Sequence, residues 1–378
     1  MDAACGNMEN NDQTMGEERF LNEKQQKPRQ AGPDIVRTIA AVFVVAVHFY
    51  LNCGYYSTPL HGPVLFLMTV GRWLFLICVP LFMILTGYFK SEKTLNWAHY
   101  KSLLPVLVSY VVISVIKVFA SNYVYGKVYT FEIALKNIAN YQIAWYVGMY
   151  LSLMALIPFL NRLWKALVSK KEKQLLIGSL AFVSTLYPVF LYLVPSYWQM
   201  LYPFVYYYLG VYFKEYRPKV KKLWLVLITL VIVLAEAVTS FVLADGKSFI
   251  WNVLGPVDSG YSTITVVICA ASVFLLFYDV EVKTGWIRKA LQKISEVSLE
   301  VYLFTGVYDA IVFYYLKKIV WETEDFFWWF FVTVPTSFLL AWISSMLLKL
   351  AFKIIGEYAL KPAYKALKAS ANRHIDQR

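Results

Sequence analysis

An all-α, polytopic membrane bundle of about ten transmembrane helices, with N- and C-termini cytoplasmic, is the fold class this sequence predicts. Three observations predict it. The chain is 59% hydrophobic and 18% aromatic against 16% charged, with a mean hydropathy of +0.52, which is more apolar surface than a soluble core uses. Apolar runs of spanning length recur from one end to the other. Lys and Arg gather in alternate connections between those runs.

The first run, Ile35 to Asn52, follows Pro33 and Asp34, and Asp34 is a suitable N-cap for it. Val64 to Phe89 is the second, Leu103 to Ala120 the third, Tyr141 to Leu160 the fourth and Leu175 to Leu193 the fifth. The sixth, Trp198 to Phe213, is short and carries Pro203, so a tilted, broken or partly re-entrant segment is expected there. Leu223 to Leu243, Tyr261 to Tyr278, Val297 to Leu316 and Phe326 to Leu350 complete the set.

Charge placement tests that count independently. With the N-terminus inside, the inner segments hold Arg29 and Arg37, then Lys90, Lys93 and Lys101, then the cluster from Arg162 to Lys173. Lys214 to Lys222, Lys283 to Lys293 and Lys349 onward follow on the same side. The outer connections hold Lys127, Lys136, Lys247, Lys317 and Lys318. Adding or dropping one span near the middle would destroy this asymmetry. The net charge of +12 is therefore explained by topology, and scattered inner cations argue against a nucleic-acid partner. Membrane lipids are the expected surroundings, with a multi-pass location in the plasma or inner membrane and a homo-oligomer possible.

Residues 1–33, rich in Asn, Gln, Glu and Lys and without an apolar run, read as a disordered cytoplasmic arm and not as a signal peptide. Residues 34–350 form the transmembrane domain, and 351–378 a basic cytoplasmic tail. Cys5, Cys53, Cys78 and Cys269 are dispersed, which fits apolar packing rather than a disulfide frame. No CxxC pair, HExxH or phosphate-binding glycine loop is present, so no metal site is expected.

Arg37 and His48 carry the chemistry. Eleven helical steps return to within about 20° of the same face and climb about 16 Å, near half of a hydrocarbon core of about 30 Å. A cation thus stands at the mouth of a helix with an ionisable imidazole beneath it at membrane depth, where such groups are costly and mark functional sites.

The opening stretch PDIVRTIAAVFVVAVHFY, with this Arg37 and His48 pair, resembles the signature of the acyltransferase-3 family, integral-membrane enzymes that move acyl groups, usually acetyl, onto carbohydrates and related acceptors. VPLFMILTGYF from Val79 resembles the family's second-helix ending, and YKSLLPVLVSY from Tyr100 the basic start of its third helix. AWYVGMYLSLMALIPFLN, YPFVYYYLGVYF and ISEVSLEVYLF resemble its fourth, sixth and ninth spans. Three features depart from the pattern. His99 and Lys101 stand where an arginine pair is common, Thr305 follows VYLF where His is frequent, and Arg72 lies one turn further from VPLF than the usual arginine.

The resemblance implies acetyl-CoA as acyl donor, held by the cations Arg37, Lys101 and Arg72, with catalytic His48 as general base on an acceptor hydroxyl. Imidazole takes up a proton near neutral pH and suits that task. Asn52, one turn beyond His48, either orients the ring or marks the helix end. Glu236, well inside the seventh run, is an acceptor-site group or the partner of Lys117 or Arg72. Tyr302, Thr305 and Asp309 form a polar stripe that can line an acceptor cavity or bind helices together. Trp145 is an interfacial anchor or a platform for a sugar ring. Two function classes remain: an O-acetyltransferase acting on a cell-envelope or exported carbohydrate or glycolipid, and a transporter or flippase for such a molecule. The Arg37 to His48 register favours the enzyme.

Overall fold

The computed structural model describes residues 29–186, 194–249 and 260–357. These residues are helical throughout, with no strand among them beyond an isolated bridge between Pro59 and Ser248. The helices are α1 (Ala31–Asn52), α2 (Gly62–Phe75), α3 (Cys78–Lys90), α4 (Trp97–Lys101), α5 (Leu104–Tyr125), α6 (Phe131–Ala139) and α7 (Trp145–Ala166). They continue with α8 (Lys170–Thr185), α9 (Tyr202–Tyr216), α10 (Lys222–Ala244), α11 (Ile264–Phe277), α12 (Gly285–Glu296), α13 (Ser298–Leu316) and α14 (Phe326–Ile355).

Seven segments among the described residues are long and apolar enough to cross a membrane: α1, Gly62–Lys90, Trp97–Tyr125, α7, α10, α13 and α14. Each coincides with an expected run. The other three expected runs coincide with shorter helices, the fifth in its described first half alone. α8 has 16 residues, α9 has 15 and α11 has 14, which at 1.5 Å per residue rise about 21 to 24 Å, short of a core of about 30 Å. Pro203 in the first turn starts α9 late, after a 3-10 turn over Ser196–Leu201. The second half of the fifth run, the arm over residues 1–28, Cys5 and the tail from residue 358 lie outside the described residues.

Prolines set the breaks. Pro80 lacks an N–H and its ring opposes the carbonyl of Leu76, so Gly62–Lys90 is interrupted at Leu76 and Ile77 and resumes as α3. Pro105 likewise separates α4 from α5. α1 begins earlier than expected. Asp34 is not its N-cap but lies within the first turn, where its carboxylate takes two hydrogen bonds from Arg29, at 2.7 and 2.9 Å. Pro33 is tolerated there because first-turn N–H groups have no helical partner.

α1 is the centre of the bundle, packed against α2, α3, α11, α12, α13 and α14. Its Val36, Ala40, Ala41, Val44 and Phe49 are almost fully buried. α3 and α9 approach backbone to backbone: a Cβ on Gly87 would strike the Tyr207 carbonyl, and one on Gly210 the Ile84 carbonyl. The outward faces of α10 and α14 are the reverse of a soluble surface, with Leu223, Val231, Val242, Phe331 and Leu347 exposed. Such faces are stable only against an apolar solvent. Cys53, Cys78 and Cys269 are free and buried among apolar neighbours.

Candidate active site

Arg37 and His48 share α1. Because the helix starts at Ala31, four residues before the expected start, Arg37 stands about 9 Å inside it and His48 about 6 Å from its far end. The imidazole is therefore nearer the far rim than the middle of the span.

Asp309 of α13 completes the centre. His48 Nδ1 lies 2.7 Å from Asp309 Oδ2, with side-chain exposures of 24% and 10%. A carboxylate only accepts hydrogen bonds, so the proton belongs on Nδ1 and the lone pair of Nε2 is left for substrate. Tyr302, two turns below Asp309 on the same helix, presents its ring edge-on to the imidazole with centroids 6.1 Å apart. Asn52 does not orient the ring; its amide donates to the His48 backbone carbonyl at 2.8 Å. Thr305 bonds the Val301 carbonyl of its own helix at 2.8 Å.

Lys117 of α5 reaches the same centre from another side. Its ammonium donates to the Ile143 carbonyl at 3.3 Å and is close enough to Asp309 for the charges to interact. It occupies the space left by Gly306, where a Cβ would lie 3.0 Å from Nζ. A lysine in the third span and a glycine between Tyr302 and Asp309 are visible in the sequence, but their meeting is not.

A cavity of about 160 Å³ opens at Arg37 and ends against Tyr302 and Tyr146, with Phe82, Phe89 and Lys90 on its walls. Arg37 Nη1 donates to Ser295 Oγ at 2.7 Å, and its guanidinium stacks 5.0 Å over Phe89. The cavity thus runs from two cations to the tyrosine that touches His48. Lys90 counts in the sequence as a topology signal, and only the packing of α3 against α1 places it beside Arg37.

The remaining candidates are placed elsewhere. Lys101 is exposed at the end of α4 and does not line the Arg37 cavity. Arg72 is 2% exposed, seated over Trp73 and Phe249 at 4.2 and 4.6 Å, with Nε donating to Tyr56 Oη at 3.4 Å. Glu236, also buried, is within electrostatic reach of Arg72, not of Lys117. These two form a second polar centre apart from the cavity. Trp145 is half exposed and packs its ring 5.7 Å from Tyr261.

A family model described as an acyltransferase domain matches residues 30–346, well over half of the chain. Among curated proteins and among solved structures nothing matches it. The chain belongs to the acyltransferase-3 family, and with its membrane-long apolar helices it is a membrane acyltransferase.

Proposed function

We propose that this acyltransferase takes an acetyl group from acetyl-CoA on the cytoplasmic side and delivers it to a hydroxyl of a cell-envelope or exported carbohydrate or glycolipid. The observation that carries this reading is the cavity that extends from Arg37 and Lys90 to Tyr302, whose ring packs edge-on against the imidazole of the His48–Asp309 pair. Two cations at the mouth suit the phosphates of the donor, and the narrow aromatic cavity suits an uncharged arm. About 16 Å separates Arg37 from His48 along the helix, a distance such an arm can span.

His48 Nε2 takes the proton of the acceptor hydroxyl while the acceptor oxygen bonds the thioester carbonyl carbon. As the carbon–sulfur bond breaks, the imidazolium returns that proton to the leaving thiolate. Asp309 holds the Nδ1 proton throughout and stabilises the transient positive charge on the ring. Lys117 places its ammonium beside Asp309 at the centre. A topology of about ten spans with both termini cytoplasmic supports this side assignment, because it puts Arg37 on the basic face. The shorter α8, α9 and α11 then span where the bilayer is locally thinned.

Purified protein in liposomes, given acetyl-labelled acetyl-CoA and a panel of glycan acceptors, tests the reading. Label is expected on an acceptor hydroxyl with wild type and not with His48→Ala. Equal transfer by both proteins would end the assignment. Mass spectrometry of envelope glycans from cells with and without the chain identifies the acceptor by the loss of acetyl increments.

A further inference from the structure

A second, larger cavity of about 690 Å³ lies at the same end of the bundle as Arg37 and shares no lining residue with the smaller one. Arg29, Arg217, Lys283 and Arg288 line it, with the rings of Tyr88 and Tyr278 on one wall. The rings lie 6.3 Å apart. Asp279 and Glu281 also face it, and Asp279 is paired with Lys222 at 3.6 Å, so the lining stays cationic. Gln30 and Ala31 contribute the start of α1, whose first turn has no side-chain cap and adds a partial positive charge.

One hydroxyl ties the walls of the two cavities together. Ser295 Oγ accepts from Arg37 at 2.7 Å and from Arg29 at 3.3 Å, and those arginines line the smaller and the larger cavity respectively. Arg288 donates to the Arg29 carbonyl at 2.7 Å, tying the larger cavity's wall to the same junction.

Resting on the donor reading above, we infer that the larger cavity is a purine-nucleotide subsite: it holds the phosphorylated adenosine end of the donor while the smaller cavity holds the arm. The volume falls within the range of about 300 to 1,000 Å³ that small-molecule sites occupy. Arg29 is already paired with Asp34 and Glu296, and Arg217, Lys283 and Arg288 are the cations that suit a group bearing several phosphate charges, Arg as a fork and Lys as a point charge. Tyrosine rings suit a flat heterocycle. An anionic lipid headgroup offers phosphate but no heterocycle and no extension into the Arg37 cavity.

The subsite is tested on the full-length protein in neutral-lipid nanodiscs with adenosine 3′,5′-bisphosphate as the probe, by calorimetry. Arg217 has φ 44°, so Arg217→Asn removes the charge while tolerating that left-handed backbone. Lys283→Glu reverses a second charge. Each variant is expected to weaken bisphosphate binding about tenfold or more. Each should also lower the ratio of kcat/KM for acetyl-CoA to that for S-acetylpantetheine, which lacks the nucleotide, by a similar factor. Bisphosphate that does not bind wild type, or binds both variants as tightly as wild type, overturns the proposal. So does displacement of the probe by phosphatidylglycerol nanodiscs, which would make the occupant a lipid headgroup. If wild type binds bisphosphate yet transfers acetyl from neither donor, the transfer reading fails and the nucleotide subsite stands.

Discussion

His48 of α1 and Asp309 of α13 are 261 residues apart in sequence and 2.7 Å apart in space. The pairing gives the imidazole a fixed tautomer and a counter-charge, which the proposed proton transfer requires.

Asp309→Asn tests the pairing. An amide can donate its N–H to Nδ1 and so place the ring proton on Nε2, leaving no lone pair toward the acceptor. kcat is expected to fall about 100-fold or more while KM for the donor changes less than about threefold. Steady-state kinetics on the purified variant measures both. An unchanged kcat would make Asp309 structural.

Arg37 and Lys90 line the smaller cavity, the proposed donor site, whereas Lys101 does not. Arg37→Ala and Lys90→Ala are each expected to raise KM for acetyl-CoA about tenfold, the worth of a charge-assisted hydrogen bond, with kcat little altered. Lys101→Ala is expected to leave KM within about twofold of wild type. A larger KM effect from Lys101 than from Lys90 would place the donor's phosphates elsewhere.

Gly306→Ala separates charge position from stability. The added methyl meets the Lys117 ammonium at 3.0 Å and its stem at 3.4 Å, a flexible side chain that can move. The cost in stability is therefore expected to stay under about 1 kcal/mol, while displacement of Lys117 from Asp309 lowers kcat. Gly87→Ala is the contrast. Its methyl would strike the Tyr207 carbonyl, so α3 and α9 must part and the folded yield should collapse. Fluorescence-detected size exclusion reads the yield of both variants.

A pH dependence follows from the pair at the ends of α8 and α9. Burial raises the Glu215 carboxyl, but hydrogen bonds from the Lys173 ammonium at 2.7 Å and the Trp164 indole at 2.7 Å outweigh it, and the net effect is a carboxyl held below its ordinary value. Such a group binds its proton more weakly folded than unfolded. Its stabilisation is complete above the ordinary glutamate value of about 4.3 and is lost as pH falls through the lower folded value. Glu215→Gln is expected to melt earlier than wild type at pH 7, with the difference shrinking toward pH 4. Melting curves across that range in detergent check it.

Seven of the expected runs are long apolar helices, because twenty apolar residues in a row have few stable alternatives to spanning a bilayer. The register of Arg37 and His48 was equally legible, since both lie on one helix and 3.6 residues per turn is a local rule. The partners of that pair were not. Asp309 appears in the sequence as one polar residue on an apolar helix, suited equally to an acceptor cavity. Arg72 and Lys101 look like donor cations, yet Arg72 is sealed between aromatic rings and Lys101 faces outward.

The amino-acid order by itself determined the membrane class, the family resemblance and the one helix that carries the candidate base, because composition and periodicity act within a single segment. Tertiary structure alone decided which helices face that base, that Gly306 leaves room for Lys117, and that Ser295 bridges Arg29 and Arg37. Those contacts join residues up to 266 positions apart. They depend on how ridges of neighbouring helices interlock, which no local pattern encodes.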